Sequence, residues 1–196
     1  MSRPKFHFFA FLSRMKYIAR WGLMRNTQPE NIQEHSLQVA VIAHALALIR
    51  NRFFKGSINP ERIAVLGMFH DCNEIITGDM PTPIKYFNPE ISKAYKDIEN
   101  ISKNKMLSML PEELVEDYSS ILFHEDNDPE CWKIVKAADR ISAYIKCIEE
   151  VKAGNREFKK ASESILKSIN EINLPEVKYY MENFIPSFSL TLDELE

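Results

Sequence analysis

Four side chains on three well-separated, largely apolar stretches of the sequence are the ones best suited to chemistry: His35, the adjacent pair His70-Asp71, and Asp139. Each stretch reads as a helix that enters the core. A carboxylate beside a histidine in such surroundings costs several kcal/mol unless a cation or hydrogen bonds compensate it. A divalent metal ion supplies that compensation. Two imidazoles and two carboxylates make a nitrogen and oxygen donor set that suits a transition ion and leaves positions open for water and substrate. Taken singly, each residue has a plainer reading, because a histidine on an apolar stripe is most often a satisfied core group and a His-Asp dipeptide is common. The constellation is more specific than its parts.

The elements that must position these residues are helices. Glycine is scarce, at 5 residues, and alternating β-branched runs bounded by tight turns are nearly absent. Helices are predicted at roughly residues 8–20, 31–52, 60–76, 89–108, 111–122, 129–153, 156–170 and 175–184. Asn59-Pro60, Asn88-Pro89 and Asp128-Pro129 mark three of the starts, since proline at the first helical position gives up an amide that would be orphaned anyway. Asn31 with Glu34 reads as a capping box, and Gly154 as the end of the longest helix. At about 100° per residue, His35 shares a stripe with Val39, Ile42, Leu46 and Ile49 and is expected in the core. His44 points to the opposite side and reads as an interior or interface histidine. On the predicted helix 60–76, apolar nearly all round, His70 and Glu74 share a face while Asp71 is turned by about 100°. Asp139 borders the stripe formed by Ile134, Val135, Ala138, Ile141 and Ile145. Residues 77–89, with Gly78, Pro81, Pro83 and Pro89, are expected to form an irregular loop directly after a buried helix, a frequent seat of function.

The chain of 196 residues is 45% hydrophobic and 27% charged, which predicts one all-α domain over residues 1–196, a helical bundle. A globule of this length buries about 70% of the surface its unfolded chain exposes, so a metal would serve chemistry rather than folding. The net charge of −3 argues against bulk electrostatic binding to a nucleic acid polymer or an anionic membrane. Cys72, Cys131 and Cys147 show no CxxC spacing, so neither a disulfide framework nor a thiolate zinc site is suggested, and a reducing cytoplasm fits. The apolar run at residues 8–12 is followed at once by Arg14 and Lys16 and makes a poor signal peptide. The longest apolar run, residues 39–49, is too short to span a bilayer, and a soluble protein is expected.

A histidine, then His70-Asp71, then Ala137-Ala138-Asp139 resembles the HD-domain phosphohydrolase superfamily. Arg20-Trp21, Leu23-Met24-Arg25-Asn26, Glu34-His35-Ser36-Leu37-Gln38-Val39-Ala40, residues 77–88 and Pro186-Ser187-Phe188 are, in addition, similar to the bacterial 5′-deoxynucleotidase YfbR family, essentially from end to end. The resemblance implies a helical, cytoplasmic, homodimeric enzyme that removes phosphate from deoxyribonucleoside 5′-monophosphates. It implies a divalent metal ion as cofactor, cobalt favoured, with manganese or another transition ion as alternatives; one ion per subunit is expected. The implied metal ligands are His35, His70, Asp71 and Asp139, with His35 also lining the substrate site. Arg20 would orient the phosphate, and Trp21 would pack on the sugar and help exclude a 2′-hydroxyl. Glu74 would hold the attacking water and Asp79 would contact substrate. Either carboxylate can be the general base, Glu74 being favoured because it stands one turn from a ligand. Thr82, Pro83, Ile84 and Lys85 correspond to the substrate-binding loop, although Lys85 alone also reads as a surface charge. His124, in an acidic turn, reads as a solvated histidine rather than a ligand for a second metal. Two rival readings are a related phosphohydrolase acting on a cyclic nucleotide, nucleoside triphosphate or alarmone, and a non-catalytic helical dimer.

Overall fold

Capping fixes where the long helices begin. In the computed structural model, which describes residues 5–85, 87–123 and 128–195, the Asn31 side chain accepts from the amides of Gln33 and Glu34 while Glu34 returns a carboxylate to the Asn31 amide. The box opens α2 (Ile32–Phe53). Asn59, Asn88 and Asp128 accept from the amides of Arg62, Ile91 and Cys131, as their Asx-Pro sequences predict. The helices they open are α3 (Pro60–Phe69), α6 (Pro89–Leu107) and α8 (Pro129–Lys152). Shorter or uncapped pieces complete the set: α1 (Phe8–Leu12), α4 (Glu74–Thr77), α5 (Thr82–Lys85), α7 (Glu112–Leu122), α9 (Lys159–Asn170) and α10 (Pro175–Asn183). Gly154, at φ 86°, ends α8 in the left-handed region that favours glycine. Among the described residues there is no strand, only an isolated bridge between Ala19 and Asn31.

Helix α2 runs through the centre and packs on α3, α8 and α10. Its predicted stripe of Val39, Ile42, Leu46 and Ile49 meets Ile63 and Leu66 of α3 and Ile134, Ile141 and Ile145 of α8 in the main apolar core. A second cluster gathers Phe8, Met15, Ile32, Met106, Leu110 and Leu122. The crossing of α2 and α3 is close: a Cβ added at Gly67 would lie 2.8 Å from the Ala40 Cα. Helix α2 is long and apolar enough in composition to cross a membrane, which the apolar run at residues 39–49 understated, and 56% of its most apolar window is buried within the fold.

Three expected elements differ. The helix predicted at 8–20 ends at Leu12 and continues only as a 3-10 turn, Ser13–Tyr17. Ile18 and Arg20 instead pair with the segment before α2, through Ile32 N–H to Ile18 O at 3.0 Å and Arg20 N–H to Glu30 O at 2.9 Å. The helix predicted at 60–76 breaks at His70 and resumes at Glu74. Its last turn is satisfied differently, because His70 Nδ1 donates to Gly67 O at 2.8 Å, the carbonyl that Asp71 would take in a continued helix. The expected loop at 77–89 contains the short helix α5. His124 lies outside the described residues.

Residues 18–31 carry the chain between the N-terminal turn and α2, and α8 fastens them. Glu150, 1% exposed, accepts from Thr27 N–H at 2.9 Å, Thr27 Oγ1 at 2.7 Å and Asn155 Nδ2 at 2.8 Å, and faces the Lys146 ammonium at 2.5 Å. Lys146 also donates to Gln28 O. Burial opposes the charge on Glu150, but Lys146, Asn155 and Thr27 outweigh it and hold the carboxyl well below the usual glutamate range.

Two predictions follow from this packing. Gly67→Ala forces backbone against backbone and should lower unfolding free energy by about 1–3 kcal/mol in urea titration. Glu150→Gln should destabilise the protein near neutrality, with the difference from wild type unchanged down to about pH 5 and shrinking as pH falls from there toward about pH 2, because a carboxyl whose folded value is depressed contributes fully above its unfolded value and loses that contribution as pH falls toward the folded one. A stability difference that stays constant over that range would contradict the assignment.

Candidate metal centre

His35 from α2, His70 and Asp71 from the turn after α3, and Asp139 from α8 each direct a ligand atom to one point, and these four atoms lie within 4.8 Å of one another. His35 Nε2 is 3.1 Å from Asp139 Oδ1 and 3.6 Å from Asp71 Oδ2. His70 Nε2 is 3.0 Å from Asp71 Oδ2 and 4.0 Å from Asp139 Oδ1. Both imidazoles are buried, with ring centroids 5.3 Å apart.

The hydrogen bonds behind the rings define what the front offers. Ser142 Oγ donates to Gln38 Oε1 at 2.6 Å, so its own lone pair accepts from His35 Nδ1 at 3.1 Å. His70 Nδ1 donates to Gly67 O. Both rings therefore carry a proton on Nδ1, so that in the neutral form of each it is the Nε2 lone pair that faces the carboxylates. His70 Nε2 is buried without a hydrogen-bond partner. Lone pairs facing carboxylate oxygens repel unless a proton or a cation lies between them, and this orphaned nitrogen within a nitrogen and oxygen donor set fits a divalent ion.

The electrostatics agree. Burial and the Arg20 guanidinium lower the His35 value, favouring the neutral ligand form. Burial also disfavours the His70 imidazolium, but Asp71 and Asp139 outweigh it and raise the value, so a proton competes for the position a cation would take. Burial opposes ionisation of Asp71 and Asp139, yet the imidazoles and, for Asp139, Lys136 hold both carboxyls well below their usual range. Lys136 Nζ is 3.3 Å from Asp139 Oδ2, the oxygen not turned to His35.

Around this centre stand the other predicted residues. Arg20 is nearly buried, with one terminal nitrogen 3.6 Å from Asp71 Oδ2. Its desolvation disfavours the charge, but Asp71 and Glu30 more than restore it, and the guanidinium stays protonated. Trp21 adopts φ 58°, a left-handed conformation that a non-glycine residue keeps only when its surroundings over-determine it. Its amide donates to Asp79 Oδ2 at 3.2 Å, its carbonyl accepts from Met24 N–H at 2.8 Å, and its ring packs on Phe158 at 5.2 Å. Glu74 is buried with Oε2 unpartnered, and burial together with the nearby charges of Asp71 and Asp79 pushes its carboxyl up to about 10. The break after α3 means that Glu74 reaches this region from α4 rather than along one face with His70.

The loop residues are placed less uniformly. Pro83 and Ile84 are exposed on α5, and Lys85 is committed to Glu99 at 2.9 Å over the Tyr95 ring, so it is not the free surface charge of the plain reading. The Thr82 side chain lies outside the described residues. Four participants escaped the sequence reading: Ser142, Gln38, Gly67 and Glu30. Ser142 and Gln38 each stand three positions after a ligand on the same helix, a spacing that points to a shared face. Glu30 has no such signal.

A family model described as 5′-deoxynucleotidase YfbR-like matches residues 7–188. A 5′-deoxynucleotidase of Vibrio parahaemolyticus is 55% identical, the alignment covering 96% of this chain and 97% of that protein. A 5′-deoxynucleotidase yfbR of Photorhabdus temperata is 54% identical over 96% of this chain and 95% of its own. Among solved structures, an HD-domain phosphohydrolase from Listeria innocua superposes with a TM-score of 0.80 at 24% identity, covering 93% of this chain and 88% of that one. The cyanophage S-2L HD phosphohydrolase, bound to dA and one catalytic Zn2+ ion, gives 0.64 at 19% identity, over 91% and 96% of the two chains. The fold is that of the HD-domain phosphohydrolases.

Titration calorimetry with cobalt or manganese should give one ion per chain, and Asp139→Ala should abolish it. Ser142→Ala, which leaves the ligands intact but frees His35 Nδ1, should weaken the ion by about 10–100-fold. Unchanged affinity in that variant would remove Ser142 from the centre.

Proposed function

The chain belongs to the 5′-deoxynucleotidase YfbR-like family, and from that membership we propose that it hydrolyses deoxyribonucleoside 5′-monophosphates to deoxyribonucleosides and inorganic phosphate. The observation that carries this reading is the convergence of two imidazole nitrogens and two carboxylates beside a nearly buried arginine. His35, His70, Asp71 and Asp139 are assigned to the ion. Lewis acidity toward a phosphoryl oxygen and an attacking water is what a divalent ion held there supplies. Cobalt is assigned as the activator from the family resemblance, with manganese or another transition ion as alternatives; the mixed imidazole and carboxylate donors suit first-row transition ions without selecting among them.

The protein's own groups do the rest. The terminal nitrogens of Arg20 donate to the phosphoryl oxygens and offset the charge that builds on them during transfer. Glu74, buried beside Asp71, is assigned to the attacking water: a cation at the centre offsets the charges of Asp71 and Asp79 and favours the Glu74 carboxylate. That carboxylate takes the water's proton as the new oxygen–phosphorus bond forms and the bond to the 5′-oxygen breaks in line, the leaving oxygen being protonated from solvent. Asp79, tied to the Trp21 amide, is assigned to the sugar and the leaving side, with Trp21 against the sugar face. Pro83 and Ile84, flanked by Thr82 and by Lys85 on Glu99, form the substrate loop.

A homodimer is part of the proposal. Leu37, Val41 and Leu48 lie exposed along one side of α2, with His44 among them, a face poor in charge. We place the enzyme in the cytoplasm, acting as a single domain without a membrane or nucleic acid partner; its three cysteines are free thiols and buried.

Phosphate release from a panel of deoxy and ribo 5′-monophosphates, with each of several metals, tests the reading. Deoxy substrates should be hydrolysed in preference, and Arg20→Ala should lower kcat by about 10²–10³-fold while ion binding persists. Activity confined to cyclic nucleotides or triphosphates, or full turnover in Arg20→Ala, would overturn it.

A further inference from the structure

Glu30 is a half-buried carboxylate that none of the assigned roles uses. One of its oxygens, Oε2, accepts from Arg20 Nε at 3.0 Å and from the Trp21 indole Nε1 at 3.0 Å. Its backbone carbonyl accepts from the Arg20 amide at 2.9 Å. Its side chain is 13% exposed and that of Arg20 10%, so the pair is partly desolvated and its geometry is held more firmly than that of a surface ion pair.

The direction of these bonds matters. An arginine offers five donors on a planar fork, and engaging Nε from the side leaves the terminal nitrogens to face Asp71 and the ion site. Without an acceptor at Nε the long side chain has several rotamers available, only some of which aim the fork at a phosphate. The indole is fixed by the same atom. Its neighbour bonds, from the backbone to Asp79 and from Asn26 Nδ2 to Trp21 O at 3.4 Å, hold the residue's main chain, whereas Glu30 and Phe158 hold the ring. Glu30 is itself placed by α2's capping residue Asn31, which follows it, and by the Ala19–Asn31 bridge.

We propose that Glu30 is the positioning residue that couples phosphate recognition to sugar recognition: one carboxylate oxygen aims the Arg20 fork and the Trp21 ring together, so that a substrate is gripped at both ends only when phosphate and deoxyribose are in register. This rests on the deoxynucleotidase reading. The coupling predicts that removing Glu30 harms turnover and sugar discrimination at once, because misplacing reacting groups by about 1 Å can cost about 10²-fold.

The test compares wild type, Glu30→Ala and Glu30→Gln for kcat and KM on matched deoxy and ribo 5′-monophosphates, with cobalt binding measured by calorimetry. Indole emission is recorded in a Trp132→Phe background so that Trp21 reports alone. Glu30→Ala should lose about 10²-fold in kcat/KM on the deoxy substrate. Its deoxy-to-ribo ratio should fall at least tenfold, its Trp21 emission should shift, and its cobalt affinity should stay that of wild type. Glu30→Gln keeps an acceptor oxygen and should recover most of the ratio and the emission. Equal losses on deoxy and ribo substrates, an unmoved Trp21 spectrum, or no recovery in Glu30→Gln overturns the assignment of Glu30 alone. A wild type inert toward every monophosphate overturns the deoxynucleotidase reading, and this inference with it.

Discussion

Two imidazole nitrogens face two carboxylates in a space no wider than 4.8 Å, and the rest of the molecule is organised around making that confrontation tolerable. Uncompensated, it would be repulsive as well as poorly solvated. Compensation arrives from behind and from the side. Ser142 and the Gly67 carbonyl hold the ring protons away from the centre, Lys136 takes the outer oxygen of Asp139, and Arg20 approaches Asp71. A divalent ion completes the arrangement, which ties metal binding to the stability of the fold's centre.

The same residues that pack the helices also place the ligands. Gly67 lets α3 approach α2 at the Ala40 backbone, and its carbonyl then accepts the His70 proton, so a single small residue serves both the helix crossing and the imidazole tautomer. Because α3 stops there, Asp71 turns toward the centre and Glu74 enters on a separate short helix. Opposite, the non-helical run from Ile18 to Asn31 is fastened to α8 through Glu150 and Lys146, holding Arg20 and the left-handed Trp21 against the site. A recognition segment free of regular structure thus gains rigidity from a buried carboxylate on the longest helix.

Much of this was legible in the amino-acid order, and the reason is that local rules govern it. Asx-Pro starts, the Asn31 capping box and the Gly154 stop depend on neighbours a few residues away, and all hold in the structure. The stripe carrying His35 follows from helical period alone, and with it the burial of that histidine. Where reading along the chain erred, a hydrogen-bond partner that periodicity does not show had intervened. Residues 18–20 abandon helix because Glu30, Asn31 and Ile32 offer them backbone partners, and the helix from Pro60 breaks where the His70 ring captures a carbonyl of its own last turn.

Sequence order alone therefore determined the helical class, the helix starts and the identity of four candidate ligands, since capping chemistry, periodicity and residue type act over short range. Tertiary structure alone decided that the four meet, which ring nitrogen His35 presents, and that Glu30 joins Arg20 to Trp21. These depend on contacts between residues nine to more than a hundred positions apart, such as His35 with Ser142, whose approach is set by how whole helices pack. No local pattern encodes the direction of a hydrogen bond that crosses from one helix to another.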